Sequence, residues 1–342
     1  MIDRMRAAAS HINEMHTRMI DSAQALRSSS SNSVFSEAKE QQLTIPVSSG
    51  KLDCRVCAVD GGLLAQEMHG IDLLIGRAVT VGFTYTNSVL SKSACFPSAF
   101  PEPDYDVKIG LDEHEIQLYR TLFRLDLEIS AAISALENLK PDVLLLDGSI
   151  VPLSTDRPAE DNELFGFYTG LISKYAQLYN LCKKNGTLLT GITKDSRGRR
   201  FMDIVKDKVP HRWSDTSFLN HVLKEKERTF AMKYSGSPSK HAVLKDLEGY
   251  ADSICIFYLK CSSEDRPMRV EFLNSDKHSV SEIASLVYTL SAINKSYAYP
   301  AVLIEADLRA AMDPLEMERA QKSLMSLSNF VQPLRRNSRP FR

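Results

Sequence analysis

The 342-residue sequence predicts an α/β protein, a mixed sheet flanked by helices with a helical extension at the N-terminus. Three observations predict it. Two apolar, β-branched runs, 56–59 and 78–85, follow one another with no helical pattern between them. A long stripe of helical period over 112–139 leads into a third apolar run at 143–146. From there helix and strand patterns alternate, and strands first followed by helix–strand–helix–strand is the order of a mixed sheet covered by helices.

Taken in order, MIDRMRAAASHINEMHTRMIDSAQAL has scattered charges and no apolar block before a small-residue cleavage site, so it reads as an exposed or partner-packed amphipathic helix and not as a secretory signal. The Ser-rich SSSSNSVFSEAKEQQ that follows has little to bury and reads as a linker or mobile loop. Val56-Cys-Ala-Val-Asp60-Gly-Gly is then a short strand stopped by glycines, and Ala78–Tyr85 is a second strand. The stretch rich in Pro, Ser and Asp between about 92 and 110 reads as an irregular insertion. Leu118, Leu122, Leu125, Ile129, Ala132 and Leu136 recur at spacings of four and three, the core-facing stripe of a helix from Asp112 to Leu139 that Pro141 ends. Val143-Leu-Leu-Leu-Asp147 is the near-continuous apolar strand of a sheet buried on both faces. A helix over Leu164–Lys184, stopped by Asn185-Gly186, precedes a strand at Thr187–Thr193. Strands near 254–260 and 268–273 and helices over 279–294 and from Pro300 complete the set. The expected organisation is an N-terminal helix and linker over 1–50, a catalytic domain over 51–325 and a basic tail over 326–342.

No stretch approaches the roughly 18 uninterrupted apolar residues of a membrane span, so a cytoplasmic protein is expected. Six cysteines without regular spacing do not suggest a disulfide framework, and no second CxxC or His pair joins Cys54 and Cys57 in a zinc site. The formal net charge of −1 excludes a uniformly basic nucleic-acid binder, but its distribution is uneven. Residues 99–165 carry 15 acidic and 5 basic side chains, whereas 183–240 carry 14 basic and 6 acidic ones. An acidic pole beside a basic one suits a cation-loaded site next to a polyanion track; two solvated faces of opposite sign would give the same counts.

Asp60 in VCAVDGG and Asp147 in VLLLDGS end two apolar strands alike, each followed by glycine. Such carboxylates stand at the rim of a sheet, where neighbouring strand ends converge, and pairing them there is costly without a cation. Asp-Gly is also an ordinary turn. Glu128 flanks the buried stripe of its helix among Ala131, Ala132 and Ala135, and taken alone is a border residue reaching for water. In YPAVLIEADLRAAMDP, Asp307 shares a face with Leu303, Ala310 and Ala311 and is preferred to Glu305 as a fourth acid. Hard oxygen ligands favour magnesium or manganese over zinc. Lys194 in GITKDS is placed to hold a phosphate oxygen, with Asp195 either orienting it or making a turn. Arg197, Arg199, Arg200, Lys206, Lys208 and Arg212 form a phosphate track, and Trp213, though able to stack on a base, is expected in the core.

The sequence resembles the NurA family of nucleases from about residue 50 to 320, through AVDGG, RLDLEISAAI ahead of LLLDGS, GITKDS and YPAVLIEADLRAA. The resemblance implies a ribonuclease-H-like fold, two manganese or magnesium ions held by Asp60, Glu128, Asp147 and Asp307, a homodimer, and a HerA-like hexameric translocase as partner. It also implies 5'-3' exonuclease and single-strand endonuclease activity in DNA end resection and double-strand break repair, although the residues themselves fix neither polarity nor strand preference. The second glycine of AVDGG departs from the serine expected there. Two other readings are weighed. An actin-like or sugar-kinase-like ATPase would need glycine-rich loops, and glycine is sparse at 15 residues. A non-catalytic docking subunit of a translocase would not need four acids and Lys194.

Overall fold

The computed structural model describes residues 2–29, 37–247, 249–328 and 331–335. In chain order the elements are α1 (Ile2–Ser29), β1 (Thr44–Pro46), β2 (Arg55–Met68), β3 (Ile71–Thr86), β4 (Val89–Phe96), β5 (Asp104–Ile109), α2 (Glu113–Asn138), β6 (Val143–Asp147), α3 (Phe165–Asn185) and β7 (Leu188–Thr193). There follow α4 (Arg200–Val205), α5 (Asp215–Val222), β8 (Glu227–Thr229), β9 (Met232–Lys233), β10 (Ile254–Lys260), β11 (Met268–Leu273), α6 (Val280–Ser291), α7 (Ala301–Ala310) and α8 (Pro314–Leu327). The described strands make a mixed sheet flanked by helices. The chain divides into two compact units, one of residues 1–52, 190–239 and 251–301, the other of 53–189, 240–250 and 302–342.

The second unit is built on one long hairpin. β2 and β3 pair from Arg55↔Thr84 to Met68↔Ile71, turning at Gly70, whose φ of +78° suits a residue without a side chain. β2 therefore does not stop at its glycines as the sequence suggested; it runs straight through Gly61 and Gly62. What stops there is its parallel neighbour: β6 pairs with β2 only from Val56↔Val143 to Val59↔Leu146. The expected irregular stretch over 92–110 is corrected at both ends, and between β4 and β5 only 97–103 lies outside regular structure. Its polar residues belong to β4, which pairs with β3 over Thr80–Thr86, and β5, which pairs with β3 over Ile71–Gly76. Edge strands with a solvated face carry a composition that reads as loop. β2, β3 and β4 form an antiparallel meander, β6 lies parallel beside β2, and β7 starts beside β6 where the Leu188 amide donates to the Asp142 carbonyl at 2.9 Å. This is the ribonuclease-H-like arrangement.

α2 covers this hairpin. Asp112 caps it by accepting the amides of His114 and Glu115, both at 2.8 Å, while the Glu115 carboxylate accepts the Asp112 amide, a reciprocal capping box. α3 ends as expected at Gly186, with φ +72° and its amide on the carbonyls of the last turn.

In the first unit the order is β1-β8-β10-β11-β7, with antiparallel pairs throughout. β10 and β11 are buried along their whole length; β10 is apolar up to Lys260, whereas β11 buries Arg269 and Glu271 as an ion pair at 2.8 Å. Trp213 stacks on Phe218 at 5.6 Å inside a cluster with Phe201 and Phe230, the core role expected for it. Ala23 and Leu26 of α1 join that cluster, whereas Ile2, Met5 and Ile12 at its other end are exposed. Of the Ser-rich stretch, residues 30–36 lie outside the described residues. Its far end is clamped rather than mobile: Glu40 takes both guanidinium nitrogens of buried Arg228 at 2.6 and 2.7 Å, because a buried cation needs a carboxylate.

Candidate active site

Asp60 occupies the place on β2 just beyond its last parallel pair with β6, facing Val79 on the other side. The gap left by β6 is where the acids gather. Asp147 is the last residue of β6, and Gly148 behind it adopts φ +111°, which turns the chain away at once. The turn is pinned further on by the buried Tyr179 hydroxyl of α3, which donates to the Ile150 carbonyl. One carboxylate oxygen each from Asp60, Asp147 and Asp307 lie within 4.8 Å of one another. Glu305 turns elsewhere, accepting the Arg309 Nε at 2.8 Å along the same helix.

α7 comes close because position 62 is glycine. A Cβ there would meet the Ala310 carbonyl oxygen at 2.1 Å. The departure noted in AVDGG thus has a packing cause in this chain: serine would collide with backbone at the end of α7.

Glu128 is 8% exposed and does not reach for water, contrary to the bare helical reading. Gly61 lets it lie against β2, since a Cβ at 61 would stand 2.7 Å from Glu128 Cγ and 2.9 Å from its Oε1. Glu128 is outside the 4.8 Å triad, yet close enough to feel it. Burial pushes its carboxyl up to about 8; Arg124 opposes this, while the charges of Asp60 and Asp147 add to it. Its Oε1 is buried with no hydrogen-bond partner, and Arg124 Nη1 stands 3.3 Å away. Asp60 is pushed up to about 7, first by burial, then by the Asp147 charge, with Asp307 adding and the Gly61 amide (2.8 Å) opposing.

An acidic cluster of this kind is short of positive charge. Three carboxylate oxygens gathered within 4.8 Å form a hard-oxygen donor set of the kind that would hold a divalent cation. Glu128 Oε1, which takes no hydrogen bond and has the Arg124 charge beside it, is a further candidate oxygen ligand within the same unit.

Lys194 and the basic residues belong to the other compact unit. Lys194 Nζ lies 4.1 Å from the ring centre of Tyr299. Asp195 pairs with Arg266 at 3.3 Å. Arg197, Arg199, Lys206, Lys208 and Arg212 are exposed, but Arg200 is already engaged, its Nε donating to the Lys233 carbonyl at 3.0 Å and its Nη2 to Glu37. Sequence reasoning missed Arg124, and it read Gly61 and Gly62 as the end of a strand rather than as the room that Glu128 and α7 need. The spacing of Arg124 four residues before Glu128 was the signal available.

The sheet order, with an aspartate on β2 and another at the end of its parallel neighbour β6, defines a ribonuclease-H-like α/β protein with a carboxylate centre. The chain belongs to the NurA family: the NurA domain matches residues 54–312. Among solved structures it is similar to the NurA nuclease from Sulfolobus solfataricus, at 17% identity over 95% of this chain and 97% of that one, TM-score 0.61. A second NurA structure aligns at 11% identity over 93% and 97%, TM-score 0.56. NurA with manganese aligns at 12% identity over 93% and 98%, TM-score 0.55. At such identities the likeness is one of fold. No match was found among curated proteins. No described helix is long and apolar enough to cross a membrane.

Proposed function

We propose that this NurA-family protein is a deoxyribonuclease that hydrolyses phosphodiester bonds at the centre formed by Asp60, Asp147 and Asp307. The observation that carries the reading is the convergence of three carboxylate oxygens within 4.8 Å beside the buried, half-satisfied Glu128. Asp60, the most buried of the three aspartates, would be the shared ligand, and Asp147, Glu128 and Asp307 would complete a set able to hold two manganese or magnesium ions. Cations held there would supply charge stabilisation to the attacking and leaving oxygens of an in-line displacement. The chain's own part is to fix those carboxylates on β2, β6, α2 and α7, so that no reorganisation is needed at the moment of reaction. Lys194 holds a nonbridging phosphate oxygen, and Arg197, Arg199, Lys206, Lys208 and Arg212 track the DNA backbone through charge. Arg200 is the weakest member of that track because Glu37 holds it.

The finer part of the proposal, for which family resemblance is the support, is 5'-3' exonuclease and single-strand endonuclease action in end resection and break repair, in the cytoplasm, as a homodimer with a HerA-like translocase. The exposed Ile2, Met5 and Ile12 of α1 support a docking role for that helix. Removing residues 2–14, which leaves the buried Ala23 and Leu26 in place, should lower co-elution with the translocase and spare basal cleavage; unchanged co-elution removes α1 from the interface. The central test is plasmid nicking with manganese. Wild type should nick, chelator should stop it, and Asp60→Asn and Asp147→Asn should be inactive while still binding DNA. Wild-type nicking by either variant overturns the assignment.

A further inference from the structure

Within the unit that holds Lys194, a cavity of about 350 Å³ opens beside the end of β7. Two tyrosines line it, and they differ in status. Tyr299 is 3% exposed and its hydroxyl donates to the Ile192 carbonyl at 3.0 Å, so it belongs to the core. Tyr297 is 45% exposed, its ring centre 5.8 Å from that of Tyr299 and tilted by 43°. Lys194 Nζ stands 4.1 Å from the centre of the Tyr299 ring and 5.7 Å from that of Tyr297, a cation held at the aromatic wall.

The exposed ring is carried on a fixed backbone. Asn294 Oδ1 accepts the amides of Ser296 (2.9 Å) and Tyr297 (3.2 Å), and Asp265 accepts the amide of Ala298 (2.7 Å). The carboxylates lining the cavity are similarly engaged. Asp265 also takes the Arg266 amide at 2.7 Å, Glu264 takes the Ser296 hydroxyl at 3.0 Å, and Asp195 meets the Arg266 guanidinium at 3.3 Å. Asp265 and Glu264 are thus fixed in place, and the Asp195–Arg266 pair is solvent-exposed (81% and 75%) and therefore weak, so Arg266 can exchange Asp195 for a phosphate on the wall that also carries Lys194 and the half-exposed Tyr297 ring.

An exposed tyrosine on a pinned loop, flanked by two cations, has the chemistry of a stacking platform for a nucleotide: a π-face for the base and ammonium and guanidinium groups for phosphates. We propose that this cavity is a nucleobase subsite, in which an unpaired base of a DNA strand stacks on Tyr297 while Lys194 and Arg266 meet the adjoining phosphates. A base inside a duplex offers only its edge, so the subsite selects single strands and frayed ends over continuous duplex. This inference rests on the reading of the chain as a DNA nuclease and adds the form in which the strand is held.

The test uses the full chain without divalent cations, so that cleavage plays no part. Fluorescence anisotropy with a short labelled single strand should show Tyr297→Ala weakened by at least ~5-fold, the low end of a base–aromatic stack, and Tyr297→Phe within about 2-fold of wild type. With 2-aminopurine moved along the strand, wild type should quench it at one position and Tyr297→Ala should not, a readout that a merely structural tyrosine would leave unmoved. Equal single-strand affinity of wild type and Tyr297→Ala, or quenching that persists in the variant, overturns the subsite alone. A wild-type protein that binds no DNA overturns the nuclease reading together with it.

Discussion

Replacing Asp60 by Asn removes a charge that the fold resists. The carboxyl is 6% exposed, and its value is raised from 3.8 to about 7 by burial, then by Asp147, with a smaller addition from Asp307. At ~1.36 kcal/mol per pH unit, ionising it in the metal-free protein costs about 4 kcal/mol. The folded value lies above the unfolded one, so the protein keeps this stability below about pH 4, loses it as pH rises, and has lost it fully above about pH 7. Asn does not titrate, and it can still accept the Gly61 amide. Metal-free Asp60→Asn should therefore match wild type near pH 4 and exceed it by about 4 kcal/mol near pH 8. With ~2.1 cal/mol/K of unfolding entropy per residue over 342 residues, that is a melting temperature about 6 °C higher. The assay is thermal melting across this pH range after chelation, repeated with manganese. Manganese should raise wild type and leave the variant almost unmoved, because a ligand stabilises only a state that binds it. A metal-free variant that melts at or below wild type near pH 8 would refute the argument that these acids repel one another for want of a cation.

Manganese affinity should climb steeply as pH rises through about 7 to 8, since Asp60 and Glu128, raised to about 7 and about 8, must give up protons to bind it; calorimetry showing constant affinity across that window counts against both as ligands. Gly62→Ala should destabilise more than Gly61→Ala, by about 1–3 kcal/mol against less, because the first meets the Ala310 backbone and the second the movable Glu128 side chain; chemical denaturation that ranks them the other way removes the close approach of α7. Asp142→Ala should lose about 1 kcal/mol, since Asp142 accepts the Arg55 amide at 2.7 Å, yet cleave as well as Asp53→Ala and wild type; a nicking defect in either would place chemistry at the wrong end of the strands. Replacing Arg197 and Arg199 together by Ala should weaken DNA binding and flatten its salt dependence, whereas Arg200→Ala should act mainly on stability; an unchanged salt slope in the double variant moves the track elsewhere.

Much of this architecture is legible in local pattern. The stripe from Leu118 to Leu136, the stop at Gly186 and the apolar runs at 143–146 and 254–259 each depend on neighbours within a turn or a strand, so periodicity and turn chemistry suffice to find them. The likeness of AVDGG and LLLDGS likewise marks Asp60 and Asp147 from the sequence. The tertiary structure alone decided what depends on partners far away in the chain. Only pairing with β3 made strands of 89–96 and 104–109, and only the early end of β6 opened the gap beside Asp60 in the middle of a long strand. Glu128 looks like a border residue from its helix and is buried because Gly61, on another element, has no side chain to hold it off. Arg200 reads as a free cation until Glu37 is set beside it, and Tyr297 as any surface tyrosine until Lys194 and Tyr299 stand next to it. Each is a contact between residues distant in sequence, whose energy depends on burial and approach that no window of neighbouring residues contains.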